Sequence, residues 1–325
     1  VSCRKVATLP DGSPLYAITL RSDQLTATVL SFGAALQDLR LEGHASPLIL
    51  GYQNPLDYLK NPSYLGVIVG RVANRISGGK ISVNGTVHEL DQNENGTTTL
   101  HGGRDGSSHR NWALLDHGPT HVTLGDVLPD GHMGFPGRLE LTSTYRLEDA
   151  ALIVELTGKT DAPTVCNPAP HIYFNLDGGS DLKHHRMRVA ASRVVPVKNG
   201  LPTGPPVPAA NLNLDLRTEQ AIPQKLDHHF CLSEQVRSLG FAAELLAPGC
   251  RMEIFTSEPG LQVYDGSHLN IRNFGLEGRR YSPRAGVALE PHRWIDAPNQ
   301  SWSQQVALDR DAVFQAKTHF KFCPA

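Results

Sequence analysis

The chain has 325 residues, with 30 Lys and Arg against 32 Asp and Glu, a formal net charge of -2 and no run of like charges. That balance speaks against a nucleic-acid partner or an anionic membrane surface, and no apolar stretch approaches the roughly 18 residues that span a bilayer. Thirty Gly and 23 Pro imply many turns and short elements rather than long helices. The five cysteines are scattered and never form a C-x-x-C pair, so free buried thiols are expected instead of a disulfide framework or a zinc ribbon. No signal-like charged and apolar start is present, and a cytoplasmic setting fits best, although a chain opening at Val1 is compatible with a removed leader.

In chain order, Gly66 to Ile76 (GVIVGRVANRI) is the first informative segment. Arg71, Asn74 and Arg75 place fixed donors beside flexible glycine backbone, which suits recognition of hydroxyl groups; pairing with carboxylates elsewhere is the structural alternative. Ile81 and Val83 alternate with polar neighbours up to Asn84-Gly85, after which Val87 resumes, and Asn-Gly is the pair that a tight type I′ hairpin demands. His101-Gly102-Gly103 brings an imidazole to a point where backbone can approach closely, or is an ordinary turn. Leu139, Leu141, Ser143 and Tyr145 lead through Glu148-Asp149 to Leu152-Ile153-Val154, a second hairpin.

His171 to Leu176 (HIYFNL) reads as a strand with His171, Tyr173 and Asn175 on one face and Ile172, Phe174 and Leu176 on the other. Gly200 to Pro208 is a proline-rich connector, read as a surface loop inside one domain. Met252 and Ile254 lead through Glu258-Pro259-Gly260 to Leu261 and Val263, which predicts a third hairpin. Gln262 and Tyr264 lie opposite Leu261 and Val263 and repeat the polar, aromatic face. Glu290 ends the apolar run Gly286 to Leu289, where a carboxylate is costly unless something uses or neutralises it, and such burial raises its pKa and its value as a base. A salt-bridged structural role for Glu290 is the alternative. Phe314, Ala316, Thr318, Phe320 and Phe322 interleave with Gln315, Lys317, His319 and Lys321, a half-buried strand.

No apolar stripe of helical period is sustained over ten residues, so the chain is predicted to be all-β: a large antiparallel β-sandwich, one domain over residues 1–325, with a ligand cleft on a face or end. Fifteen histidines call for a test of metal binding. The adjacent pairs His184-His185 and His228-His229 point opposite ways if extended, and no H-E-x-x-H occurs, so no metal is expected. The absence of G-x-S-x-G, P-loop and G-x-G-x-x-G motifs removes the commonest hydrolase, phosphate and dinucleotide readings.

Taken together in order, GRVANRI (70–76), LHGG (100–103), GFPG (134–137), HIYFNL (171–176), GLPTG (200–204), LDHHF (226–230), EPGLQVY (258–264) and ALEPHRWIDAPNQ (288–300) resemble the galactose mutarotase, or aldose 1-epimerase, family across nearly the whole chain. The resemblance implies a supersandwich with an open sugar cleft, in which Glu290 is the general base on the anomeric hydroxyl, His171 the general acid on the ring oxygen and His101 a second histidine nearby. It further implies that Asn74, Arg75, Asp227 and Gln262 hold sugar hydroxyls, with Arg71 and Tyr264 as neighbours. No redox or covalent step is involved, so no cofactor is implied, and the partner is a small free sugar taken up by a monomer or homodimer. A non-catalytic sugar binder and a hexose-phosphate mutarotase are the alternatives. His292, His229 and Asp265 depart from the family's usual glutamine, asparagine and small hydroxyl residue, and each bears on sugar preference. The acid and base together predict a bell-shaped pH profile, rising as Glu290 loses its proton and falling as His171 loses its own.

Overall fold

The computed structural model describes residues 2–324. Strands dominate, and the helical segments among those residues are all short 3₁₀ turns, the longest being Pro55–Lys60. A nine-stranded antiparallel sheet runs from Ala113–His117 through His121–Leu128, Leu139–Glu148, Ala151–Thr160 and Val313–Cys323 to Cys250–Thr256, Gly240–Ala247, Arg186–Val189 and Gln220–Ala221. Facing it is a six-stranded sheet ordered Tyr173–Phe174, Val287–His292, Gly260–Tyr264, Asp227–Cys231, Arg193–Val195 and Val207–Pro208. A four-stranded meander, Ser2–Thr8 to Leu36–Leu41, packs its own apolar face onto the same core.

Period-two alternation builds this core. Along Val313–Cys323, Phe314, Ala316, Thr318, Phe320 and Phe322 are buried while their neighbours reach outward, as the sequence pattern requires. Phe320 shares one cluster with Phe230, Leu261, Val263 and Leu289 of the facing sheet, where each fully buried large apolar side chain contributes about 1.5–3 kcal/mol. The six-stranded sheet therefore commits Phe230, Leu261, Val263 and Leu289 to the core. Its other face is left to the alternate residues Asp227, His229, Gln262, Tyr264, Glu290 and His292, and the functional site is built there.

Two predicted hairpins form. Asn84 (φ 49°) and Gly85 (φ 79°) turn Lys80–Val83 into Thr86–Glu89, and Asp149 (φ 49°) helps turn Leu139–Glu148 into Ala151–Thr160. The third does not. Cys250–Thr256 pairs with Gly240–Ala247 and Val313–Cys323, whereas Gly260–Tyr264 pairs with Asp227–Cys231 and Val287–His292 in the other sheet. Glu258-Pro259-Gly260 is a crossing between layers: none of the three takes the positive φ of a tight turn, and the Pro259 carbonyl instead accepts from the Leu232 and Ser233 amides and the Trp294 indole. The crossing sets Met252 and Ile254 across one core from Leu261 and Val263.

Candidate active site

Glu290 lies within its strand, fourth in Val287–His292, rather than at its end. Cross-strand register places Gln262 beside it on one side, and Tyr173 pairs with Ala288 on the other, so the strand end carrying His171 reaches the same place. His171 Nε2 stands 3.5 Å from Glu290 Oε1. The HIYFNL segment is only partly a strand, with Tyr173–Phe174 in the ladder. His171 and Tyr173 line the cleft, but Asn175 turns away and donates to the Gly179 and Ala285 carbonyls.

The second histidine arrives on the turn after Thr99–Leu100. His101 takes a left-handed conformation (φ 51°), and its backbone amide donates to the Asn74 carbonyl while its Nδ1 accepts the Asn74 amide. Gly102 follows with φ 87°, where a Cβ would lie 2.0 Å from the Gly70 carbonyl oxygen, so this close approach requires glycine. The double tie holds the His101 ring 5.2 Å from that of His171, at 80°. With Nδ1 accepting, the neutral ring carries its proton on Nε2, the nitrogen left to the cleft.

Asn74, Arg75, Asp227 and Tyr264 also line the cleft, whose volume of about 230 Å³ lies just under the roughly 300–1,000 Å³ range of small-molecule sites. Arg75 is held by a two-bond ion pair with Glu94, Nε to Oε2 and NH2 to Oε1, both at 2.8 Å. Asp227 Oδ1 accepts from Gln262 Nε2 at 2.6 Å. Gln262 thus stands behind Asp227 and outside the cleft lining. Arg71 is further removed: its guanidinium donates to the Pro136 and Gly137 carbonyls and to Thr164 Oγ1, tying the GFPG loop down. Arg71, expected beside the sugar, lies outside the cleft lining: its Nη1 meets those three acceptors, and its Nε and Nη2 are buried without a partner. Arg71→Met should cost about 1–3 kcal/mol of stability by leaving them unpaired, while sugar KM stays unchanged. Thermal denaturation and polarimetric kinetics check it, and a raised KM without a fall in Tm would return Arg71 to the cleft.

Several lining residues were not singled out from the sequence. Tyr64 (φ 55°) is thrown into the cleft by a turn in which the Asn61 side chain bonds both the amide and the carbonyl of Leu65, and its ring lies 4.5 Å from His101. His268 donates its backbone amide to the Tyr264 hydroxyl and stacks on that ring. Glu94 acts through Arg75. Nothing in the local pattern marks Tyr64 or His268; Glu94 could have been sought as a partner for an arginine.

Burial dominates the electrostatics. It lifts the Glu290 pKa well above the ordinary carboxyl value, with Asp227 adding to the rise and Arg75 opposing it. It drives His171 down to about 3 and holds His101 well below its ordinary value, with His171 and Arg75 contributing. One ligating atom each of His101, His171 and Glu290 lies within 4.8 Å of the others, a spacing that could admit a cation. The donor set does not fit one: the Asn74 amide claims the lone pair of His101 Nδ1, so Nε2 presents a proton in place of an electron pair.

A buried carboxyl and a buried imidazole, close enough to serve neighbouring atoms of one small polar molecule, define an acid–base enzyme on a β-sandwich scaffold. The sequence family described as Aldose 1-epimerase matches residues 16–321. A galactose mutarotase of Rattus norvegicus is 34% identical over 332 residues, covering 97% of this chain and 96% of the relative, and an aldose 1-epimerase of Escherichia coli is 30% identical, covering 97% of both. Among solved structures, an aldose epimerase homologue from C. elegans superposes with a TM-score of 0.88 at 26% identity, covering 95% of this chain and 99% of its own. The chain belongs to the aldose 1-epimerase family, a family of isomerases.

Proposed function

We propose that this protein interconverts the α and β anomers of free aldoses such as galactose and glucose by opening and reclosing the sugar ring. The observation that carries this reading is the 3.5 Å separation of His171 Nε2 and Glu290 Oε1 on the cleft floor. The anomeric hydroxyl and the ring oxygen are bonded to the same carbon, so the base on one and the acid on the other must be near neighbours. Glu290 takes the hydroxyl proton as His171 protonates the ring oxygen, and His101 Nε2–H steadies that oxygen as its bond to carbon breaks. Rotation about C1–C2 then turns the other face of the aldehyde to the same pair, which runs in reverse. Asn74, Arg75, Asp227 and Tyr264 hold the remaining hydroxyls, and the two ends of the reaction need no other chemistry.

Arg75 is neutralised by Glu94 and Arg71 is turned away, so among the described residues no basic cluster lines the cleft for a phosphate; free aldoses are favoured over hexose phosphates. A core cluster running from Ile18 to Phe322 supports one domain, and five unpaired thiols suit a reducing, cytoplasmic setting. No helix among the described residues is long and apolar enough to cross a membrane. Polarimetry on fresh α-galactose, α-glucose, xylose and galactose 6-phosphate should show accelerated decay for the free sugars, with galactose 6-phosphate poorly used. Tight galactose binding without faster decay would mark a sugar-binding protein and end this reading.

A further inference from the structure

On the cleft-facing side of the six-stranded sheet, beyond Glu290, lies a group of buried polar residues that ring opening does not use. His229, Gln262 and Glu290 form one cross-strand row, and one step along Gly260 faces His292. Because Gly260 has no side chain, the His229 ring leans over it; a Cβ there would lie 2.0 Å from His229 Nε2. The ring meets His292 with centroids 4.9 Å apart and planes at 35°, and both histidines are fully buried.

The proton positions follow from the partners. His292 Nδ1 lies 2.6 Å from the Arg293 carbonyl, which can only accept, so a neutral His292 carries its proton there. Gln262 is oriented likewise: Asp227 Oδ1 can only accept, so Nε2 points to it and Oε1 takes the other arm of the amide. That oxygen is buried without a partner, and so are both ring nitrogens of His229 on the directly paired position. An unpaired acceptor and an unpaired N–H, enclosed together, complement each other. Burial and the adjacent His292 keep His229 well below its ordinary pKa, while the Gln262 side chain pulls the other way, as an acceptor facing the ring would.

We propose that His229 is a positioning residue for Asp227: its single N–H, directly or through one buried water, holds Gln262 Oε1 and so fixes the amide with Nε2 aimed at the carboxylate. His292, anchored on the Arg293 carbonyl, is the shelf that keeps the His229 ring in place. The inference rests on the reading of Asp227 as a sugar-hydroxyl ligand, and it predicts an effect on binding rather than on the chemical step.

The test compares His229→Leu, which removes the donor, with His229→Asn, which keeps one, and with Asp227→Ala, all by polarimetric kinetics on galactose. His229→Leu should raise KM about tenfold, the worth of roughly 1.4 kcal/mol, with kcat within about twofold of the native protein, and His229→Asn should recover most of the loss. Equal KM values in His229→Leu and the native protein, or equal losses in both His229 variants, overturn the proposal. An unchanged KM in Asp227→Ala would instead remove the sugar-binding role of Asp227, and this inference with it. Should His229→Leu fail to fold, ¹⁵N spectra of histidine-labelled native protein decide, with His229 assigned from His229→Asn: one fixed neutral tautomer supports the proposal, and averaged tautomers or an imidazolium overturn it.

Discussion

Glu290→Gln should lower anomer exchange by about 10²–10⁴-fold, the usual worth of a positioned acid or base, while the protein stays folded. The substitution is close to isosteric and keeps the buried strand intact, so the loss reports the missing base. Linkage gives an independent check. Glu290 has a folded pKa raised above its unfolded value, so its favourable contribution is complete below the unfolded pKa and disappears as pH rises through the folded one. An amide resembles the protonated carboxyl and does not titrate, so Glu290→Gln should match the native Tm in acid and exceed it at pH 8. Polarimetry together with thermal melts at pH 5 and pH 8 measures both. Native-like exchange rates in the variant would remove Glu290 from the chemistry. A Tm deficit confined to pH 8 would show that the carboxylate is stabilised in the fold, contrary to its burial.

How much of this site could be read in the sequence depended on whether the information was local. Alternation announced the strand Val313–Cys323, and Asn84-Gly85 announced its hairpin, because side-chain period and turn chemistry are properties of neighbouring residues. The same alternation separated Gln262 and Tyr264 from Leu261 and Val263, and so marked a polar face before any partner strand was known. What the pattern could not carry was the partner. Glu258-Pro259-Gly260 looks like a turn, and only pairing distant in sequence reveals a crossing between sheets.

Arg71 and Arg75 show the same limit in side chains. They sit four residues apart in one motif, yet one guanidinium closes on the loop carbonyls of Pro136 and Gly137 and the other enters the cleft against Glu94. Spacing offers no means of telling them apart, since each direction is set by acceptors from elsewhere in the chain. Tyr64 is a further case: the Asn61 side chain sets the turn, but only the position of His101 gives the ring a role. The resemblance supplied Asp227, for which neither alternation nor composition gave a sign.

His171→Asn should reduce kcat/KM by about 10²–10³-fold, within the usual range for loss of an acid, and the smaller loss is expected because His101 Nε2–H still faces the ring oxygen. The native pH profile carries the sharper expectation. In isolation a carboxyl titrates near 4.5 and an imidazole near 6.5, which would confine activity to a narrow band. Burial inverts that order, pushing His171 down to about 3 and Glu290 up. The empty site then rests with a neutral imidazole and a protonated carboxyl, one proton shared by the pair. The working form, carboxylate with imidazolium, holds the same number of protons, so its fraction is constant with pH between the two titrations and falls outside them. The kcat/KM profile should therefore be a bell with its acid limb near 3 and its basic limb above the ordinary carboxyl range, both belonging to the pair. In His171→Asn the acid limb near 3 should vanish. Polarimetric rates from pH 3 to 9, corrected for spontaneous mutarotation, measure these limbs. Limbs at the two isolated values would mean that the residues titrate independently, and that burial does not govern the chemistry of this cleft.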